Sequence, residues 1–206
     1  MKLSDEQILI RDSVRDYVQA NIAPYAAEWD KTSHFPAKQL KEMGELGLFG
    51  ILIPEQWGGS GADYVSYALA LEEIAAADGA CSTIESVNNV VVCGSLLQFG
   101  SDFLKQEYLK PLASGARLGC FCLTEPQAGS DASALKTSAV KDGDDYILNG
   151  AKTFITSGKN AQVAIIFAVT DADAGKKGIS AFVVPTDNPG YQVGTVEDKM
   201  GQHASD

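Results

Sequence analysis

Phe121-Cys122-Leu123-Thr124-Glu125-Pro126-Gln127-Ala128-Gly129-Ser130-Asp131 stands where the apolar repeat of this 206-residue chain changes character. Before it the spacing is helical, about 3.6 residues; after it the spacing drops to about 2, that of strands. The stretch itself leaves a predicted strand, turns at Pro126, and reaches a run of small and polar residues with exposed amides and hydroxyls. Such a loop suits recognition of the polar edge of a planar ligand. An ordinary polar turn with Asx-type hydrogen bonds has the same composition.

Upstream, to about residue 115, the chain reads as helices. Ser4-Asp5-Glu6-Gln7 fits a capping box, and Ile10, Val14, Tyr17 or Val18, and Ile22 follow at helical spacing. Pro24 ends or bends that helix. A second helix is predicted from Phe35-Pro36 through Leu40 and Met43 to Gly44 and Gly47. Leu48 to Ile53 is a short apolar run stopped by Pro54, and Trp57-Gly58-Gly59-Ser60-Gly61 is a loop. Two Ala-rich helices are expected at about 62–77 and 82–98, and a shorter one at about 102–112.

Downstream, Tyr146-Ile147-Leu148 lies between the turn signals Asp142-Gly143 and Asn149-Gly150. Thr153–Thr156, Val163–Thr170, Ile179–Val184 and Tyr191–Val196 are predicted as further strands. In a strand, Phe154 and Thr156 share a face, a ring beside a donor or an aromatic filling the core. Helices followed by strands, without alternation, make an α+β protein. We expect a helical domain over 1–115 and an antiparallel barrel or sandwich over 116–206.

Lys and Arg number 16 against 27 Asp and Glu, a formal net charge of −11. That balance disfavours an electrostatic grip on nucleic acid or anionic lipid. No uninterrupted apolar run approaches the roughly 20 residues of a membrane span, and the first residues resemble neither a secretory signal nor a transit peptide. A cytoplasmic location is expected. Cys81, Cys93, Cys120 and Cys122 lack metal or redox spacing and read as buried free thiols. His34 and His203 are the only histidines, so no metal site is expected.

Common nucleotide and hydrolase motifs are missing. No glycine-rich stretch ends in Gly-Lys-Ser/Thr, and no GxSxG elbow occurs. Gly44, Gly47 and Gly50 do not follow a strand, which argues against a dinucleotide fold. The WGGSG loop at 57–61 is either a phosphate cradle or a plain turn.

Taken together, L-T-E-P-Q-A-G-S-D (123–131), N-G-A-K-T-F-I-T-S-G (149–158) and K-G-I-S-A-F-V-V (177–184) closely resemble the acyl-CoA dehydrogenase family. G-L-F-G-I-L-I-P-E-Q-W-G-G-S-G (47–61) and D-K-M-G-Q-H-A-S-D (198–206) add support, and the similarity extends over essentially the whole chain. The resemblance implies FAD between a helical and a β domain. It also implies α,β-dehydrogenation of an acyl-CoA thioester to a trans-2-enoyl-CoA, with electrons passed to an electron-transfer flavoprotein, and a homodimer or homotetramer.

Carried over by motif, Phe121, Leu123, Thr124, Gly129 and Ser130 would line the flavin, and Ser130 would also meet CoA. Phe154, Ile155 and Thr156 would flank the ring system. Phe stands at 154 where the family most often has Trp, so stacking is implied there and an indole hydrogen bond is not. Val90 and Cys93 would wall the acyl tail, and Lys176 or Lys177 would meet a CoA phosphate or remain solvated. The family's catalytic base is a glutamate of a C-terminal helical domain that these residues do not include. The reading is therefore of a truncated chain with no catalytic residue of its own and an incomplete β domain. Glu125, Glu72 and Glu73 are not candidates for the base. A flavin acyl-CoA oxidase and a non-catalytic flavin-binding or interaction module are the alternatives.

Overall fold

The computed structural model describes residues 2–206. Helix α1, Asp5–Asn21, opens on the predicted capping box. Gln7 N donates to Ser4 Oγ at 3.2 Å, and Ser4 N donates to Gln7 Oε1 at 3.0 Å. Helix α2, Ala26–Thr32, was not foreseen: it has no side-chain cap and is held by Trp29, buried against its neighbours. Helix α3 spans Ala37–Glu45 and α4 spans Tyr64–Ala77. Asp78 ends α4 and caps the next helix, accepting from Cys81 N at 2.7 Å.

Helix α5, Gly79–Phe99, is continuous but loosens into π-helical turns over Val87–Cys93. By length and composition alone it would pass as a membrane span. Here it is a core helix. Ile84 packs with α1, α3 and α4, while Val92 and Leu96 pack against the sheet. Helix α6 (102–113) closes the helical part and also contains a π-helical stretch.

The sheet has five strands: β1 Gly119–Cys122, β2 Ser138–Asp142, β3 Asp145–Asn149, β4 Val163–Val169 and β5 Ile179–Pro185. The sequence led to an expectation of antiparallel pairing throughout; the sheet is instead mixed. β4 runs parallel to β1, with Gly119 opposite Val163 and Cys122 opposite Ile166. It runs antiparallel to β5, and its Val169 meets Ser138 of the β2–β3 hairpin. The long crossover from β1 to β4 returns the chain to the same end of the sheet, which is what parallel pairing requires.

Alternation splits the central strands between two cores. Val163, Ile165 and Phe121 face α5 and α6, while Cys120, Cys122 and Ala164 face the opposite side. Two predicted strands are absent. Thr153–Thr156 is a loop, and 191–196 makes no ladder.

Asn88, wholly buried in α5, joins the two parts. It donates to the carbonyls of Phe49 at 3.3 Å and Leu112 at 3.2 Å, and accepts from Gly119 N at 2.9 Å. The WGGSG segment is a plain turn, because its amides are spent internally. Ser60 N donates to Gly50 O, Gly61 N to Ile53 O, and Ala62 N to Ile51 O. The glycines at 44 and 50 serve close packing: a Cβ on Gly44 would lie 2.7 Å from Gly115 Cα.

Candidate functional site

Strand β1 delivers the chain directly into Leu123 and Thr124, and the next residue fixes everything around it. Glu125 is buried and paired with Lys152 at 2.8 Å. Its carboxylate also accepts from Thr137 N at 2.9 Å, Lys136 N at 2.7 Å and Gln127 Nε2 at 2.6 Å, as well as from the Thr137 hydroxyl. Burial disfavours its charge. Lys152, Thr137 and the amide of Lys136 outweigh that and hold the carboxyl down at about 2. With both oxygens so engaged, Glu125 is a fixed anion and no proton acceptor.

The same ion pair clamps two loops. Lys152 Nζ donates to Leu123 O at 3.1 Å, and Thr153 N donates to Thr124 O at 2.9 Å. Residues 123–124 thus lie edge to edge with 152–153. Beyond the seam the backbone turns sharply: Phe154 has φ 57° and Ser157 φ 63°, both in the left-handed region. This is why the strand predicted here does not form. The Phe154 ring is 73% exposed, and Ile155 tucks against Cys120 and Cys122. Thr156 is half-buried. Holding two non-glycine residues in that region costs about 1–3 kcal/mol each and is met most often at functional sites.

Phe154, Ile155 and Thr156 line an open cleft of about 1480 Å³, together with Phe182 and Tyr191. On the other loop, Gly129 and Ser130 are exposed, and a Cβ on Gly129 would meet nothing within 4 Å. Phe121 points the other way, its ring centroid 5.0 Å from that of Phe167 in the core between helices and sheet. The acyl-tail pair does not gather at the cleft. Val90 is exposed on α5, whereas Cys93 is wholly buried in the core with Leu96 and Leu109. That packing removes Cys93 from any surface a ligand touches. Lys177 is exposed in the turn before β5, and Lys176 lies near enough to Asp131 to act on its charge.

Two family profiles match this chain. "Acyl-CoA dehydrogenase, N-terminal domain" matches residues 4–116, and "Acyl-CoA dehydrogenase, middle domain" matches residues 120–206. The chain belongs to the acyl-CoA dehydrogenase family. Among family members, an acyl-CoA dehydrogenase of Bacillus subtilis (strain 168) is 47% identical over 205 residues, covering 100% of this chain and 54% of that protein. The solved butyryl-CoA dehydrogenase of Megasphaera elsdenii superposes with a TM-score of 0.96 at 39% identity, covering 100% of this chain and 55% of that one. A glutaryl-CoA dehydrogenase from Mycobacterium smegmatis, solved in complex with FADH2, gives a TM-score of 0.92 at 37% identity, covering 98% and 51%. The chain spans about half the length of the curated relatives it matches.

Lys152 and Thr137, which hold the acyl-CoA dehydrogenase loops together, were not singled out from sequence. One signal was available. Glu125 is the only charge in 121–129 and Lys152 the only charge in 149–158. Single opposite charges inside two otherwise neutral loops point to a mutual partner.

Proposed function

We propose that this chain forms the helical and sheet portion of an FAD-dependent acyl-CoA dehydrogenase of the short-chain type. The observation that carries the reading is the seam pinned by Glu125 and Lys152. It sets an open, amide-rich loop beside an exposed aromatic ring held on a left-handed backbone.

The residues present fit a flavin. Phe154 offers a free aromatic face, Gly129 leaves space for close approach, and Thr124, Ser130 and Thr156 supply polar groups on both sides of the seam. Among the described residues, the buried hydroxyls of Thr153 and Ser157 have no hydrogen-bond partner, a further polar reserve in the same loop. Bound there, FAD supplies the acceptor for the hydride lost from the acyl-CoA as a trans-2-enoyl-CoA forms.

The work of these residues is binding and orientation. Leu123, Thr124, Gly129 and Ser130 grip the cofactor from one loop, and Phe154, Ile155 and Thr156 from the other. Ser130, at the exposed rim, reaches toward CoA. None of residues 2–206 is proposed as the base. Electron-transfer flavoprotein is the proposed electron acceptor, and a homo-oligomer the proposed assembly.

The test is retention of FAD after desalting, read by visible absorbance. Wild-type protein is expected to keep flavin, and Thr156→Ala to keep less. Equal retention by the variant would remove Thr156 from the site, and no retention by either would overturn the cofactor assignment. In the full-length polypeptide, anaerobic butyryl-CoA is expected to bleach the flavin band.

A further inference from the structure

Four cysteines lie among the described residues and all are buried and free, but only two of them meet. Cys120 and Cys122 are two apart on β1, so the strand's alternation turns both thiols to the face away from the helices. Their sulfurs are 3.7 Å apart. Cys81 and Cys93, by contrast, sit in different cores, and burial pushes each of those thiols up.

We propose that Cys120 and Cys122 form a two-thiolate site for a soft, thiophilic metal ion. The spacing is the first argument. Metal–sulfur bonds of about 2.3 Å at a tetrahedral centre place two sulfurs about 3.8 Å apart, so the pair already spans one tetrahedral edge. The second is preorganisation. Both residues are in the paired part of β1, opposite Ala164 and Ile166 of β4, and are 0% and 3% exposed, which fixes their direction before any ion arrives.

The third argument is a further oxygen. Tyr191 Oη lies 3.7 Å from Cys120 Sγ and donates its own proton to Gly158 O at 2.7 Å. Its lone pairs are therefore free toward the sulfur. The fourth is access, because Cys122 borders the open cleft that Tyr191 also lines.

Two thiolates favour soft ions over hard ones. No cluster of three or more His, Cys, Asp or Glu occurs among the described residues, so the remaining positions fall to Tyr191 or water. The step balances simply. Two S–H bonds break, two sulfur–metal bonds form, two protons pass to solvent, and no electron is transferred.

Cadmium ion is the probe. The reduced, metal-free 206-residue protein is titrated with Cd²⁺ while sulfur-to-metal charge-transfer absorbance and proton release are followed. One ion per chain is expected, with two protons released per ion. X-ray absorption of the loaded wild type is expected to show two sulfur neighbours. Cys120→Ser and Cys122→Ser are each expected to abolish the absorbance, and a Cys81→Ala/Cys93→Ala variant to keep it. Alkylation mapping of the wild type, which needs no variant to fold, should show cadmium slowing the reaction of Cys120 and Cys122. An ion surrounded only by oxygen or nitrogen, protection of Cys81 and Cys93 instead, or no charge-transfer band on the folded protein would overturn the proposal. The last result would leave the pair as hydrogen-bonded core thiols.

Discussion

Replacing Lys152 with methionine removes the one side-chain cation that pairs with Glu125 among the described residues and leaves a carboxylate that is 4% exposed. Two routes give the size of the effect. Breaking one half of a buried ion pair costs about 3–5 kcal/mol. Independently, the Glu125 carboxyl moves from an ordinary 4.5 to about 2 in the fold, and at about 1.4 kcal/mol per pH unit this links roughly 3 kcal/mol of stability to its ionisation. The sign follows from the lowered value. The contribution is complete above about pH 4.5 and is lost as pH falls from there toward 2.

Glu125→Gln removes the ionisation but keeps an acceptor for Lys152, so its cost at neutral pH should be near 3 kcal/mol and should shrink on acidification. Lys152→Met, leaving the charge unpaired, should cost as much or more. The double variant should cost less than the sum of the two, because the orphaned charge is gone. Urea denaturation followed by circular dichroism, at neutral pH and at stepped lower values, measures all three. Glu125→Gln costing under about 1 kcal/mol, or a wild-type-minus-variant difference that stays flat below pH 4.5, would refute the clamp as the element joining the two loops.

Glu85 carries the opposite sign. Burial raises its carboxyl to about 8 against the weaker pull of the Asn89 amide, while Glu85 Oε2 and Asn89 Oδ1 have no partner among the described residues. The Glu85 contribution to stability is complete below about pH 4.5 and is lost as pH rises toward 8. Glu85→Gln should therefore gain on wild type across that range, by on the order of 5 kcal/mol in the limit; a constant difference in denaturation free energy would sink this. Asn88→Ala should cost about 3 kcal/mol or more, because it removes three buried hydrogen bonds between helices and sheet and leaves the Gly119 amide without its side-chain acceptor; a loss under about 1 kcal/mol in urea would contradict the joint. Gly115→Ala should cost about 2–4 kcal/mol, since Gly115 has φ 71° and its Cβ would lie 2.4 Å from Gly44 Cα. An unchanged thermal midpoint would show that the backbones can part at no cost.

What was legible in the sequence was local. The capping box at Ser4 and Gln7 rests on bonds between residues three apart, so short-range pattern suffices to find it. Helix α2 was missed because nothing at Ala26 caps it; its stability comes from burying Trp29 in a core built by other helices. Thr153–Thr156 reads as a strand because Thr, Phe and Ile favour one. It becomes a loop because bonds from Thr153 N to Thr124 O and from Ser157 N to Asp206 O impose a different path. Strand direction was equally hidden. Parallel pairing of β4 with β1 and of its Val169 with Ser138 of β2, each between strands far apart in the chain, makes the sheet mixed.

The same division separates the groups offered to a ligand from those that hold them. Thr124, Gly129, Ser130 and Thr156 stand in recognisable motifs, and each could be read as an ordinary turn residue on its own. Their relation to one another is set by Glu125 and Lys152, 27 residues apart in the chain. A loop carrying an exposed aromatic on a left-handed backbone does not keep that shape by its own propensity, since the strain of about 1–3 kcal/mol per residue opposes it. Removing one partner of this buried, hydrogen-bonded ion pair costs about 3–5 kcal/mol, comparable with that strain, so the intact pair opposes relaxation of the loop. The clamp is thus what turns two polar loops into one surface. Loosening it should release Phe154 and Thr156 before it unfolds the sheet, so flavin retention in Lys152→Met should fall at urea concentrations where the circular dichroism is still native. Simultaneous loss of both signals would place the loops in the same cooperative unit as β4 and deny the clamp a separate role.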